Sequence, residues 1–172
     1  AAAARTSRGL MIDISIDELK LVKTEKGIVP TFKGASIAVR PGDPIIPSKG
    51  VAVLLPPGTD VVDVKAIVAQ AATLGEKLYI PPLPPPAKNE STVKPALEGN
   101  IYRSMERFPG KLLEYIGTWN FRGYRVAVIR LNPIQYVPAT GELTYIKRIT
   151  LTVTVEETDE AIKSLEENKI PL

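Results

Sequence analysis

The side chains that could do chemistry in this chain are carboxylates, lysines, hydroxyls and tyrosine phenols, because none of its 172 residues is cysteine or histidine. Cysteine nucleophiles, serine triads that need a histidine, and zinc sites built on cysteine or histidine are therefore excluded within the chain. Disulfide bonds are excluded as well. Spacing alone assigns no pair of carboxylates to one site. The sequence thus predicts a domain that is not an enzyme.

The acidic residues form two groups, Asp60 with Asp63 and the segment 156–160. Neither group has the ordered ligand loop with a central glycine that is typical of calcium sites. We interpret both as solvated surface. The sequence therefore predicts no metal site, and nothing in it indicates a cofactor.

The basic side chains best suited to a binding role follow a proline-rich stretch. Five of the six residues 81–86 are proline, which predicts an extended polyproline II segment. We interpret it as a strap over a sheet edge, with recognition by a partner's aromatic groove as the alternative. Residues 87–99 then show no periodicity, and a loop of this length is usually functional or disordered. It carries Lys88 and Lys94, and a basic side chain on an anchored loop can enter a partner's pocket at small entropic cost.

Charge and hydropathy exclude two classes of partner. The net charge is +3, and 22 basic residues are interspersed with 19 acidic ones. A nucleic-acid-binding domain usually concentrates its positive charge on one face, so we expect no nucleic-acid partner. No apolar run reaches the roughly 18 residues that a membrane-spanning helix needs. The oligomeric state stays open.

The hydrophobic pattern is that of an all-β protein. Apolar and polar residues alternate over 11–17 and 149–155, which predicts half-buried strands. Residues 24–27 predict a hairpin turn, residues 122–123 a bulge or tight turn, and the β-branched density of 61–74 favours a strand over a helix. Turn signals recur at intervals of roughly eight to twelve residues, which is typical of a sandwich or barrel. We predict an antiparallel, jelly-roll-like β-sandwich with a short C-terminal helix over 158–168.

The same pattern predicts a division of the chain into three parts. Residues 1–9 are small, polar and basic, and we interpret them as an N-terminal arm or a short remnant of cloning. Residues 10–157 are expected to form the sandwich. Residues 158–172 are expected to form a helix of the domain or a linker toward a following domain.

The order of motifs resembles the N-terminal propeptide of gingipain-type cysteine peptidases over about residues 11–156. Four segments carry the resemblance, and the last is the most specific because of its P-x-Q-Y-x-P turn and long Thr/Val strand: LKLVKTEKGIVPTF, GDPIIPSKGVAVLLPPGTDVVDV, IYRSMERFPG and RVAVIRLNPIQYVPATGELTYIKRITLTVTVEE. The resemblance implies a prodomain that assists folding of a cognate cysteine peptidase and blocks its active site until the prodomain is removed. The catalytic cysteine and histidine would then belong to the peptidase domain, and the protein would be secreted, extracellular or periplasmic.

The resemblance also implies roles for four basic residues. The family's inhibitory residue lies on the loop before the YxxxxxFPG segment, and by position it corresponds to Lys88, with Lys94 as the second choice. The proline run and the loop length differ from the family pattern. Arg103 and Arg107, both within that segment, are the candidates for facing the peptidase.

A standalone extracellular binding module for protein or carbohydrate is the alternative function. The aromatic and basic residues near 115–125 could serve such a module: Tyr115, Trp119, Phe121, Arg122, Tyr124 and Arg125. We interpret them instead as cross-strand packing with arginines extended along it. A reading frame that continues into an α/β domain with Cys and His would favour the prodomain.

Overall fold

The structure is a computed structural model that describes residues 5–75, 77–87 and 97–167. Its strands build two antiparallel four-stranded sheets and one two-stranded hairpin. The strands are, in chain order, β1 (Ser7–Ser15), β2 (Lys20–Thr24), β3 (Gly27–Thr31), β4 (Ala35–Ile37), β5 (Pro47–Leu54), β6 (Thr59–Gly75), β7 (Leu113–Phe121), β8 (Tyr124–Leu131), β9 (Ile134–Val137) and β10 (Glu142–Glu157). A 3-10 helix spans Asn100–Arg103, and the helix α1 spans Asp159–Glu167.

The first sheet is centred on β10, the strand with the clearest alternation in the sequence. Its order is β1-β10-β6, and β9 pairs with the start of β10. Ile149, Leu151 and Val153 of β10 are buried, whereas the threonines between them are half-exposed. Period two in the sequence therefore becomes one apolar face on the sheet, as predicted.

The second sheet has the order β4-β5-β8-β7. Ala127, Ile129 and Leu131 of β8 have no exposed surface. Arg122 and Gly123 connect β7 to β8 with φ of 50° and 83°. Two successive residues with positive φ form the turn that matches the twist of a tight hairpin, so the predicted turn at this position is confirmed.

One apolar cluster joins the two sheets. It contains Val53 and Ile129 from the second sheet together with Leu151 and Val155 from the first. Shared burial between two antiparallel sheets defines a β-sandwich, and the predicted all-β antiparallel class is confirmed. The strand predicted over 61–74 is also confirmed, since β6 covers it.

Three features differ from, or extend, the predicted elements. β1 begins at Ser7, so residues 7–9, predicted as part of an arm, pair with β10. The strands β2 and β3, which follow β1, form a separate hairpin around the turn predicted at residues 24–27. The helix α1 packs on the sandwich through Ala161, which is fully buried, and Thr158 accepts the Ala161 N–H at 3.1 Å as its cap. The division at residues 9 and 157 stays a prediction.

A polar network also links the sheets to α1. Arg125 forms an ion pair with Asp60 at 2.5 Å, and both side chains are largely shielded from solvent. Arg125 donates to Asn120 at 3.4 Å, and Asn120 donates to the Ser164 hydroxyl at 2.8 Å. The Arg125 side chain therefore connects β8 to its neighbour β7 through Asn120 and to β6 of the first sheet through Asp60. It does not extend along an aromatic surface.

Gly141 in the turn before β10 should not tolerate a side chain. Its φ is +72°, and a Cβ there would lie 2.5 Å from the Leu78 nitrogen and 2.6 Å from the Leu78 oxygen. We expect Gly141→Ala to lower the free energy of unfolding by about 1–3 kcal/mol, measured by urea denaturation. Gly50→Ala is the matched control, since nothing lies within 4 Å of its Cβ position. Equal stabilities of the two variants would contradict the close approach.

Candidate functional site

The predicted inhibitory lysines, Lys88 and Lys94, lie outside the described residues. Their roles stay predictions. What the structure describes is the chain on either side of them, residues 77–87 and 97–103.

The segment before the lysines is held by backbone hydrogen bonds to residues 42–45. Ile45 donates to the Pro81 oxygen at 3.0 Å, and Leu83 donates to the Asp43 oxygen at 2.8 Å. Pro81 and Pro82 are buried, whereas the prolines that follow are more exposed. The proline run thus begins beside the loop that precedes β5, and the interpretation as a strap over a sheet edge stays a prediction.

The segment after the lysines is held by the same loop. Gly99 donates to the Gly42 oxygen at 2.9 Å, and Gly42 donates to the Leu83 oxygen at 2.9 Å. Gly42 therefore hydrogen-bonds to both flanking segments, through its carbonyl on one side and its N–H on the other. The segments on the two sides of the predicted loop are therefore hydrogen-bonded to the same residue.

Two tyrosines add side-chain hydrogen bonds between the flanking segments. The Tyr79 hydroxyl donates to the Glu98 carboxylate at 2.7 Å, and the Tyr102 hydroxyl donates to the Ile80 oxygen at 2.6 Å. Their ring centroids lie 5.9 Å apart. Each bond joins a residue of the first flank to a residue of the second.

The phenols of these tyrosines stay protonated at neutral pH. Burial, and then the hydrogen bond to Glu98, raises the pKa of Tyr79 to about 12. Burial likewise raises the pKa of Tyr102, with the nearby Tyr79 as the next cause. A protonated phenol is a donor, so both tyrosines can donate at neutral pH.

Arg103 and Arg107 lie at the end of the second flank and just beyond it. Arg103 ends the 3-10 helix directly after Tyr102, and Arg107 precedes Phe108, whose backbone exchanges two hydrogen bonds with Tyr136. Both arginine side chains are exposed, and within the described residues neither has an ion-pair partner. Arg103 is thus the last residue of the second flank and Arg107 comes shortly after it, and their role stays a prediction.

The aromatic residues of β7 and β8 are more exposed than the interpretation as cross-strand packing requires. Trp119, Phe121 and Tyr124 expose 51%, 63% and 61% of their surface. Tyr115 has a local partner, the Thr118 hydroxyl at 2.5 Å, and Arg122 lies 5.5 Å from the centre of the Phe121 ring. The outer end of the β7–β8 hairpin is therefore a largely apolar surface.

Neither a metal centre nor a membrane span is found in the part of the chain that the structure describes. No group of three or more potential ligands gathers there. Asp60 is paired with Arg125, and Asp63 lies 3.3 Å from Lys65. No described helix has the length and apolar character needed to cross a membrane.

The sequence matches a known family over almost its whole length. The family model Propeptide_C25 matches residues 7–170. The chain therefore belongs to the Propeptide_C25 family, and it is a propeptide domain without catalytic function. The resemblance to gingipain-type propeptides is thereby confirmed.

Two solved structures share the fold. The complex of Porphyromonas gingivalis RgpB pro- and mature domains contains a chain that matches with a TM-score of 0.67 and 24% identity, over 88% of this chain and 79% of that one. The structure on the zymogenic latency of gingipain K from Porphyromonas gingivalis matches with a TM-score of 0.66 and 20% identity, over 91% and 90%. At these identities the likeness establishes the fold alone. No match was found among curated proteins.

Sequence reasoning missed the residues that join the two flanks. Gly42 and Tyr79 are distant in the sequence from each other and from Glu98 and Tyr102, and no periodic pattern relates the four residues. One signal was present: Gly42 lies between two prolines in P-G-D-P, which is typical of a fixed turn. What that turn contacts could be found only from the fold.

Proposed function

We propose that this chain is the inhibitory and folding-assisting prodomain of a gingipain-type cysteine peptidase. Its partner is the catalytic domain of that peptidase. In this mechanism Lys88, or Lys94 in its place, enters the acidic pocket that normally receives a basic substrate side chain. The chain then occupies the active site in the manner of a cleavage product.

The observation that supports this proposal best is the joining of both loop ends at Gly42. A loop whose ends are fixed loses less conformational entropy when it binds than a loop with free ends. It can also hold a peptide bond away from the geometry that nucleophilic attack requires. Family membership supports the same role, because a propeptide acts on the peptidase it precedes.

The compartment follows from the partner. Both structural relatives come from gingipains, and a peptidase of this type that is exported carries its prodomain with it. We therefore propose that this chain passes through the periplasm or reaches the extracellular space.

The proposed inhibition can be tested directly with purified proteins. Increasing amounts of the chain are added to the active gingipain-type peptidases of the same organism, and hydrolysis of a lysine or arginine peptide substrate is followed. We expect competitive inhibition and a stable complex by size-exclusion chromatography. Full activity at every concentration, together with absence of any complex, would overturn the prodomain proposal.

A standalone binding module remains the second candidate, favoured by the exposed aromatic surface at Trp119, Phe121 and Tyr124. Aromatic side chains at a protein surface are typical of interfaces. In the assay above this candidate would appear as a complex without inhibition that Trp119→Ala abolishes.

A further inference from the structure

We propose that Gly42, Tyr79 and Glu98 are positioning residues that fix the two ends of the inhibitory loop and so make it an inhibitor rather than a substrate. The proposal rests on the proposed prodomain function. We call these residues, with Leu83 and Gly99, the Gly42 junction. None of them would contact the peptidase pocket; they would act through the loop.

The first part of the Gly42 junction is made of backbone. The Gly42 N–H and carbonyl contact Leu83 and Gly99, each at 2.9 Å. A turn that bonds one flank by its donor and the other by its acceptor sets the separation of the two flanks. Because these hydrogen bonds are made by backbone atoms, substitutions of surface side chains outside the junction would not change the distance between the two flanks.

The position of Gly42 requires glycine. Its φ is +91°, a region that side-chain-bearing residues rarely adopt. A Cβ would also lie 3.4 Å from the Leu97 oxygen, and a Cβ on Gly99 would lie 3.0 Å from the Gly42 oxygen. The close approach of the two flanks thus depends on two glycines that face each other.

The second part of the junction is the hydrogen bond from Tyr79 to Glu98. It links the residue before Ile80 to the residue before Gly99, so it closes the base of the loop from the solvent side. The acceptor is a carboxylate oxygen, and hydrogen bonds of phenols to carboxylates are stronger than bonds between neutral groups. Tyr79 also packs beside Tyr102, whose own bond to Ile80 lies deeper.

Fixing both ends has a specific consequence for a loop that presents lysine to a peptidase whose pocket receives basic side chains. A free loop would adapt to the active site and be cleaved as a substrate. Fixing both flanks restricts how far the segment between them can adapt, and a misplacement of about 1 Å at the scissile bond reduces cleavage by as much as about 100-fold. Weakening the junction should therefore weaken inhibition and accelerate cleavage of the loop together.

The test uses two variants that remove the side-chain bond and two that control for it. Tyr79→Phe and Glu98→Ala remove the donor and the acceptor, whereas Glu98→Gln keeps an oxygen acceptor. Tyr115→Phe removes a similar exposed tyrosine hydrogen bond on β7, outside the junction. Each variant is assayed for its inhibition constant against the peptidase and for the rate at which the peptidase cleaves within 88–96.

We expect Tyr79→Phe and Glu98→Ala each to raise the inhibition constant about 3- to 10-fold and to increase the loop cleavage rate by a similar factor, since each removes one charge-assisted bond. The double variant should add little to either single change. Glu98→Gln keeps a neutral acceptor, so it should change both quantities less than Glu98→Ala does, and Tyr115→Phe should change neither quantity.

A second measurement does not depend on the cognate peptidase. Trypsin is applied to the isolated chain, and cleavage after Lys88 is compared with cleavage after Lys26 in the β2–β3 turn. Faster cleavage after Lys88 alone in Tyr79→Phe and Glu98→Ala is expected. Unchanged cleavage after Lys88 and an unchanged inhibition constant would overturn the positioning role, even if Lys88→Ala abolishes inhibition. If instead neither lysine affects inhibition, the proposed inhibitory mechanism fails, and the positioning role in inhibition fails with it.

Discussion

Lys88→Ala should weaken inhibition of the cognate peptidase by about 10- to 150-fold, because a charge-assisted hydrogen bond in a desolvated pocket is worth about 1.5–3 kcal/mol. The ammonium group would meet an acidic pocket built for a substrate's basic side chain. Its removal leaves that acidic group without its partner in the complex. The measurement is the inhibition constant of the purified chain against the active peptidase.

Two further variants separate Lys88 from its neighbour and from a general charge effect. Lys163→Ala removes an exposed lysine of α1 and should change the inhibition constant less than about twofold, as expected for a screened surface charge. Lys94→Ala should have a small effect if Lys88 is the inhibitory residue. The reverse order, with Lys94→Ala strong and Lys88→Ala weak, would transfer the role to Lys94.

The residue that follows each lysine gives a further way to distinguish Lys88 from Lys94 as the inhibitory residue. Lys88 is followed by Asn89, whereas Lys94 is followed by Pro95. A bond to proline has no N–H and carries a ring at the leaving group, so the Lys94–Pro95 bond would resist cleavage by its covalent structure. The Lys88–Asn89 bond has no such protection and would depend on the Gly42 junction. If Lys94 occupies the pocket, Pro95→Ala should allow the peptidase to cleave after Lys94. If Lys88 occupies the pocket, Pro95→Ala should create no new cleavage site.

The sandwich was predictable because most of its strands have a clear local pattern. β10 alternates valine, leucine and isoleucine with threonine, and β6 has too many β-branched residues for a helix. The start of β1 was not predictable in this way. Ser7, Arg8 and Gly9 are all exposed and show no alternation, and they are strand only because their backbone pairs with β10.

The candidate site likewise has a part that the sequence predicts and a part that it does not. The lysines could be singled out from composition and resemblance, since they lie in a long polar loop after a proline run. The Gly42 junction could not, because its main contacts are backbone hydrogen bonds between residues that are distant in sequence. Backbone donors and acceptors are present at nearly every position, so their pairing carries no sequence signal.

Tyr136 should be the most sensitive single position for the stability of the region that carries the loop. It is fully buried in β9, and its hydroxyl donates to the Leu78 oxygen at 2.8 Å and accepts the Ile80 N–H at 3.4 Å. Its backbone exchanges two hydrogen bonds with Phe108, at 2.7 and 2.8 Å. One residue thus contacts the segment that leads into the loop and the segment that follows Arg107.

We expect Tyr136→Ala to lower the free energy of unfolding by about 3–5 kcal/mol, since it removes a buried aromatic ring and leaves a cavity. Tyr136→Phe keeps the ring and removes only the hydroxyl. It leaves the Leu78 oxygen and the Ile80 N–H without this partner, at a cost of about 1–3 kcal/mol. Urea denaturation followed by tryptophan fluorescence measures both changes.

The comparison with Tyr124 tests whether burial is the cause. Tyr124 is 61% exposed, so Tyr124→Ala should change the free energy of unfolding by no more than about 0.5 kcal/mol. If Tyr136→Phe proves as harmless as Tyr124→Ala, the hydroxyl does not hold Leu78 and Ile80 as described. Because Ile80 is also the acceptor for Tyr102, a measurable loss in Tyr136→Phe should be accompanied by faster trypsin cleavage after Lys88. That coupling would connect the packing of the core to the presentation of the loop.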